Sequence, residues 1–148
     1  MSIPSAPPED YVGVNGSMEP LNTFASWLSE ATTQEHWRPY RGSSVVEQCS
    51  HPDRATKVMP LIKAAGVETR GKAAFLIRCH GPCNERLGPT DFETFPGDLL
   101  ILNNGKRLSS TADGKPLVMG RWLSFNQAVN IAVASGEVLY LLAIFKKR

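Results

Sequence analysis

The cysteines and two of the histidines fall into two short clusters whose residue types suit metal binding or thiol chemistry. Cys49 and His51 form a Cys-x-His pair, and Cys79, His80 and Cys83 follow together further along the chain. Thiolate sulfur and imidazole nitrogen are ligands that zinc takes up in tetrahedral sites. These residues suggest a zinc site built from Cys49, His51, Cys79 and Cys83. The alternative is three ordinary thiols that hold no metal, and no cofactor other than zinc is expected.

Cys49 also has the position of a nucleophile, because a helix is predicted to begin just after it. Backbone N–H groups and the helix dipole at such a start favour a thiolate. His80 would then act as the general base, and an oxyanion would bind at the same helix start. On this interpretation the protein is a cysteine-dependent hydrolase or acyl transferase.

A third feature, Pro96-Gly97-Asp98-Leu99-Leu100, is similar to the Pro-Gly-Asp turn of cell-wall amidases. Together with Cys49 and His80 it resembles the papain-like and cell-wall amidase cysteine hydrolases. In those families the histidine lies on a strand after that turn, whereas no histidine follows His80 here.

Short motifs elsewhere give another alternative. Tyr40-Arg41-Gly42, Ser109-Ser110-Thr111 and Glu137 are similar to the arginine, serine-threonine-serine and glutamate signatures of ADP-ribosyltransferases. The resemblance implies that Arg41 contacts the phosphate of a nicotinamide nucleotide and that Glu137 stabilises the developing cation or activates the acceptor. Ser135 stands where that family has its first glutamate.

The main hypothesis is a binding function rather than a reaction. Trp37, Arg38, Tyr40 and Arg41 combine aromatic and basic side chains, a composition that protein interfaces and single-stranded nucleic-acid sites both favour. With the predicted loop Gly81–Phe95 they would form the recognition surface. The sequence thus predicts a small macromolecule-binding protein that contacts a protein partner as a regulator or inhibitor, with nucleic acid as the alternative partner.

Charge, apolar content and cysteine number indicate which partners and which cellular location to expect. The net charge of +2 at pH 7 creates no strong field for nucleic acid, and Lys146-Lys147-Arg148 is the only run of positive charge. No stretch approaches the roughly 20 apolar residues of a membrane helix. An odd number of cysteines, three, is typical of a reduced protein, so we expect a cytoplasmic location.

The pattern of apolar residues predicts an α+β domain over residues 20–148, preceded by a flexible arm over residues 1–19. We expect a mainly antiparallel sheet of five to six strands with three helices packed against it. The predicted helices are Pro20 to about Thr32, Ser50 to about Gly66, and Ser124 to Gly136. The predicted strands are Ser43–Gln48, Ala73–His80, Leu99–Asn103, Lys106–Thr111, Leu117–Leu123 and Val138–Phe145. Hairpin turns at Asn104-Gly105 and at Ala112-Asp113-Gly114-Lys115 predict that the third to fifth of these form a three-strand meander.

The fold prediction depends mainly on two of those strands, which are expected to lie in the centre of the sheet. Ala73–His80 is stopped by Gly81-Pro82 and should pair in the middle of the sheet, with Cys79 buried. Val138–Phe145 is apolar on both faces and should also lie centrally. The segment between Asn84 and Thr94 is polar and is predicted to be a loop.

Overall fold

The protein is described by a computed structural model that covers residues 19–30, 35–40, 43–65, 70–88, 92–102, 109–117, 120 and 122–148. The predicted arm therefore lies outside the described residues, except for Glu19, which begins the first helix. None of the helices in the described part of the chain is long and apolar enough to cross a membrane.

Two helices form where the sequence predicts the first two. Helix α1 spans Glu19–Leu28 and helix α2 spans Arg54–Ala65, with Pro60 inside it. The second helix begins later than expected, since Ser50 donates its hydroxyl proton to the carbonyl of His36 instead of capping a helix.

The strands are β1 (Trp37–Pro39), β2 (Val46–Cys49), β3 (Lys72–His80), β4 (Cys83–Leu87), β5 (Glu93–Ile101), β6 (Thr111–Ala112), β7 (Lys115–Pro116), β8 (Trp122–Phe125), β9 (Val129–Val133) and β10 (Val138–Lys147). They form two antiparallel sheets. The large sheet has the order β1-β2-β3-β10-β5-β8, and the small sheet has the order β4-β9-β6-β7. Strands β3 and β10 lie in the middle of the large sheet, as predicted.

Strands β3 to β10 make a jelly roll. Along the chain they alternate between the sheets except for the hairpin β6–β7, so that β3, β5, β8 and β10 belong to the large sheet and the others to the small one. This arrangement encloses one core between two sheets and limits the number of open edges. Strands β1 and β2 extend the large sheet beyond the eight-stranded unit.

Two hydrophobic cores follow from the alternation of side chains along the central strands. Ile77 of β3 and Leu141 of β10 face the space between the sheets, where they pack with Leu87 and Ile131 of the small sheet. Leu76 and Leu142 face the other way and are covered by α1 and α2. The molecule therefore has three layers, in the order helices, large sheet, small sheet.

The prediction of three helices on a single sheet was wrong. The region predicted as the third helix forms β8 and β9 instead. In β9 the buried residues are Val129, Ile131 and Val133, while Asn130 is exposed. This is the period of two expected for a strand, and β-branched residues favour it. The helical interpretation gave too much weight to a capping pattern at Ser124.

The region predicted as a polar loop contains a strand, which is a second correction. In β4 only Cys83 and Leu87 are buried, with polar residues between them. Pairing with β9 holds this strand in place from Cys83 opposite Val133 to Leu87 opposite Val129. Two apolar residues in five are too weak a pattern to detect without the partner strand.

The predicted three-strand meander was wrong as well, because β5 and β6 lie in different sheets. Its second turn is confirmed, since β6 pairs with β7 across Asp113 and Gly114. Both turn residues have positive φ, as a tight hairpin turn requires. The Asn104-Gly105 turn lies outside the described residues.

Pro96-Gly97-Asp98 lies inside β5 and is not a turn. Phe145 of β10 is opposite Gly97, but Lys146 is opposite Thr94, so a bulge interrupts the pairing there. A bulge is one of the few places where a strand tolerates proline. Gly97 is required because an added Cβ would lie 2.8 Å from the ring of Phe145.

Candidate binding surface

Cys79 and Cys83 lie together in the core between the sheets. Both thiols are buried, and a hydrogen bond joins their side chains across the turn between β3 and β4. Burial, followed by the neighbouring Cys83 and Glu85, raises the pKa of Cys79 to about 12. Burial also raises the pKa of Cys83. Both thiols therefore stay protonated and unreactive near neutral pH.

Cys49 lies on the opposite face of the large sheet, in the core under the helices. Val46 is opposite Cys79 in the pairing of β2 with β3, and Cys49 is three residues further along, so its side chain points the other way. The structure thus separates Cys49 from Cys79 and Cys83. Burial raises the pKa of Cys49, which is contrary to the expected thiolate.

His80 does not lie beside Cys49. Its backbone N–H donates to the carbonyl of Val45, at the end of the β2–β3 pairing away from Cys49. Its Nε2 lies 2.6 Å from Glu47 Oε1. The candidate nucleophile and candidate base are therefore separated along the strands by several residues at about 3.3 Å each.

Glu47 joins His80 to Arg78 on the face of the large sheet that points away from the small sheet. Arg78 Nε donates to Glu47 Oε1 at 2.7 Å, and the guanidinium lies 4.5 Å from the ring centroid of Trp37. Burial alone would raise the pKa of Glu47, but the hydrogen bonds from Arg78 and His80 outweigh it and lower that pKa. This network connects β2 to β3 and orients the imidazole.

The remaining histidines contact each other. The rings of His36 and His51 are 4.6 Å apart, and Trp27 packs against His51. His51 Nδ1 accepts a hydrogen bond from the backbone N–H of Asp53. In the described ranges, no group of three or more His, Cys, Asp or Glu residues is arranged to hold a metal ion. The zinc site stays a prediction.

The predicted aromatic and basic contact segment is mostly internal. Trp37 belongs to the core under the helices and Tyr40 to the core between the sheets, with exposed fractions of only 5% and 6%. Arg38 is exposed and donates to the backbone carbonyl of Glu35. Arg41 lies outside the described residues. The two aromatic side chains therefore contribute to the cores and are too buried to contact a partner.

Ser109, Ser110 and Glu137 do come together, as the ADP-ribosyltransferase resemblance implies. Ser109 Oγ and Ser110 Oγ each donate to the Glu137 carboxylate at 2.6 Å, and the Ser109 N–H donates as well. The side-chain hydrogen bonds of Ser109 and Ser110, in that order, lower the pKa of Glu137 to about 2. The carboxylate anchors the turn before β10. The enzymatic interpretation stays a prediction.

A cleft of about 280 Å³ lies beside β2, β4 and β9. Val46, Leu87 and Ile131 form its apolar wall, and Glu85 and Arg86 supply charge of both signs. Ser43 Oγ donates to Glu85 Oε1 over a long distance of 3.4 Å. Its charged side chains therefore lie beside an apolar wall, and one of them is already bonded within the cleft.

A different surface collects positive charge at the end of the large sheet where β3 begins and β10 ends. Lys146 is directly opposite Lys72. The N–H of Lys147 donates to the carbonyl of Gly71, and the N–H of Arg148 donates to the carbonyl of Phe92. Backbone pairing therefore holds three separate stretches of sequence side by side.

The side chains of this basic–aromatic surface are accessible. It consists of Arg70, Lys72, Phe92, Lys146, Lys147 and Arg148. All are exposed except Lys72, which is half-buried. The Phe92 ring is 79% exposed, and in the described part of the chain only Phe92 and Met59 are exposed large hydrophobic residues. Glu93 is the acidic residue described here, and it is buried. Glu68 and Asp91 lie outside the described residues.

Sequence reasoning identified two parts of this surface but not their proximity. Phe92 falls inside the predicted recognition segment Gly81–Phe95, and Lys146-Lys147-Arg148 stands out as a positive run. Only the strand register shows that Lys72 lies opposite Lys146. The basic residues and Phe92 are visible in the sequence, but their proximity follows only from the pairing of β3 with β10.

Comparison with known proteins supports the fold and no more. No protein-family model and no curated protein matches the sequence. The crystal structure of a prolyl-4-hydroxylase from Pseudomonas putida is similar, with a TM-score of 0.58, 7% identity, and coverage of 88% of this chain and 87% of that chain. At that identity the likeness shows a shared fold alone.

Two weaker similarities are to proteins involved in transcription. A transcriptional regulator of the HTH_3 family from Vibrio cholerae gives a TM-score of 0.45 at 13% identity, over 83% of this chain and 63% of that chain. A chain in the crystal structure of Rhodobacter sphaeroides SigE in complex with the anti-sigma ChrR gives a TM-score of 0.45 at 15% identity, over 98% of this chain and 70% of that chain. These similarities are too low to carry a functional argument.

Proposed function

We propose that the protein is a small binding protein that acts by contact with a protein partner, as a regulator or inhibitor. The observation that carries this proposal is the 79% exposure of Phe92 within a group of lysine and arginine side chains. Aromatic residues and arginine are enriched in protein interfaces. The basic–aromatic surface is therefore the proposed contact site.

Phe92 has the properties of an interface anchor. Its carbonyl accepts a hydrogen bond from the N–H of Arg148 at 2.9 Å, so the backbone that carries the ring is fixed to the end of β10. A pre-organised anchor loses little conformational entropy on binding. Burying a phenylalanine side chain in a partner would contribute about 1.5–3 kcal/mol.

The state of the candidate catalytic residues supports binding over thiol chemistry. Burial raises the pKa of Cys49, and His80 contacts Glu47 rather than a thiol. A nucleophile needs a base within hydrogen-bonding reach. Since these two residues belong to different ends of the β2–β3 pairing, we prefer the binding function to the cysteine-dependent hydrolase.

The proposal is tested by quantitative affinity capture with three forms of the full chain: wild type, Phe92→Ala and Met59→Ala. Met59 is a matched control because it is also an exposed large hydrophobic residue, at 52%, but lies on α2. We expect at least one protein that wild type and Met59→Ala capture equally and that Phe92→Ala captures at least about tenfold less, as for an interface hot spot.

Circular dichroism and the melting temperature of each form must accompany the capture. Since Phe92 is exposed, its loss should leave folding unchanged, so any loss of capture would report the contact itself. Identical capture by all three forms would contradict the proposal.

A further inference from the structure

The pairing of Lys146 with Lys72 is unfavourable for folding. Directly opposite residues of an antiparallel pair have Cβ atoms about 4.5–5.5 Å apart, and like charges in such a pair destabilise the sheet. Lys146 is exposed and Lys72 is half-buried, so the two ammonium groups repel each other next to β10.

Further cations lie at the same place, and the carboxylate of Glu93, directly opposite Lys147, offsets only part of their charge. Lys147 and Arg148 continue β10 and are bonded through their backbones to Gly71 and Phe92. Arg70 is exposed immediately before β3. An anionic ligand would relieve this repulsion, since it would bring negative charge close to several cations at once.

We infer that the basic–aromatic surface binds an acidic segment of a protein, whose carboxylates contact the lysine and arginine side chains while an apolar residue packs on Phe92. This inference rests on the proposed function and names the chemistry of its partner. The lysines act as point charges, and Arg148 can hold a carboxylate through two parallel hydrogen bonds.

An acidic protein segment fits the surface better than a nucleic acid does. Single-stranded nucleic-acid sites stack successive bases on several aromatic side chains, whereas Phe92 is the only exposed phenylalanine in the described residues. The net charge of the chain is only +2, below what a nucleic-acid-binding domain usually carries. A local cationic group around one aromatic anchor suits a short acidic segment.

The test uses the full chain and a fluorescein-labelled peptide in which glutamates surround one phenylalanine. A second peptide with glutamines in place of the glutamates and an oligothymidylate serve as comparison probes. Fluorescence anisotropy measures binding of each probe to wild type, Lys146→Glu, Lys72→Glu and Lys115→Glu. Lys115 is the matched control, because it is an exposed lysine on β7 of the other sheet.

We expect Lys146→Glu and Lys72→Glu each to weaken binding of the acidic peptide about tenfold, and Lys115→Glu to leave it unchanged. Because each reversal converts the repulsive pair into an attractive one, the melting temperature should rise by about 1–4 °C. Raising the salt concentration from about 0.1 M to about 1 M should weaken peptide binding to wild type.

Equal binding of the acidic and glutamine peptides would overturn the inference, as would tighter binding of the oligothymidylate. Phe92-dependent capture of a partner that is insensitive to Lys146→Glu and to salt would preserve the proposed function and reject its acidic partner. Loss of peptide binding in Lys115→Glu to the same extent as in Lys146→Glu would also reject it, because the effect would then be one of net charge.

Discussion

Strand β10 has two parts that differ in almost every physical property. From Leu139 to Phe145 the side chains contact both cores, and apart from the half-buried Tyr140 each is almost fully buried. From Lys146 onward they are charged and exposed. The bulge between Phe145 and Lys146 in the pairing with β5 separates the two parts.

The difference separates residues that stabilise the fold from residues that we propose contact a partner. In the buried part each packing contact stabilises the fold, and Gly97 leaves room for the ring of Phe145. The exposed part places Lys146 opposite Lys72, an arrangement that lowers stability. Natural proteins accept such local losses where a function requires them.

The largest predicted effect comes from the buried part. Phe145→Ala removes a fully buried ring that packs against Phe75, Phe95 and Phe125. The lost burial and the cavity should lower the free energy of unfolding by about 3–5 kcal/mol. Urea unfolding measures this change, and a loss below about 1 kcal/mol would show that the core does not depend on this ring.

A smaller loss is expected from the network beside the middle of β10, where Arg78 is opposite Tyr140. Glu47→Gln removes the negative charge that Arg78 and His80 share, at side-chain exposures of only 12% for Arg78 and 24% for Glu47. Hydrogen bonds to a charged, partly buried group suggest a loss of about 1–3 kcal/mol. Chemical unfolding of this variant near neutral pH, with Lys115→Glu as the surface control, gives the comparison.

The carboxylate just before β10 predicts a pH dependence. The pKa of Glu137 is lowered from 4.5 to about 2 in the folded protein, so its contribution to stability is complete above about pH 4.5 and disappears as the pH falls toward 2. Glu137→Gln should therefore flatten the pH dependence of the melting temperature in this range. Parallel curves for the variant and wild type would contradict the assignment.

The smallest effect on stability belongs to the exposed part. Phe92→Ala changes the same residue type as Phe145→Ala, but the ring of Phe92 is 79% exposed. We expect the free energy of unfolding to change by less than about 0.5 kcal/mol. A loss comparable to that of Phe145→Ala would mean that Phe92 is a structural residue and that the two parts of the molecule do not differ as described.

The central strands could be predicted from the sequence because their own residues determine them. Phe75, Ile77 and Cys79 alternate with Leu76 and Arg78, and this pattern alone indicated burial, pairing and face. Helix α1 was equally predictable from its apolar spacing. These predictions needed no knowledge of distant parts of the chain.

The small sheet could not be predicted in the same way. Strand β4 has two buried residues among polar ones, and β9 follows a helix-capping pattern at Ser124 that suggested a helix. Each becomes stable through pairing with the other. Because tertiary pairing overrides weak local preference in strands, the jelly roll was not apparent from local patterns.

The positions of the candidate site residues in space could not be predicted either, for a related reason. The thiol and imidazole residues are of the types that zinc binds, but Cys49 and Cys79 point to opposite faces of the large sheet. The basic–aromatic surface combines residues from three separate stretches, which only the register of β3 and β10 brings together. The spacing of these residues along the chain shows neither the separation of the cysteines nor the assembly of the surface.

The most direct test of the binding surface is an NMR titration of the isotope-labelled full chain with the acidic peptide. We expect the largest amide shifts at Gly71, Phe92 and residues 146–148, and no shift of the amide signals of Ser43 and Glu85 in the cleft. Shifts concentrated in the cleft, with none at Phe92 or Lys146, would contradict it.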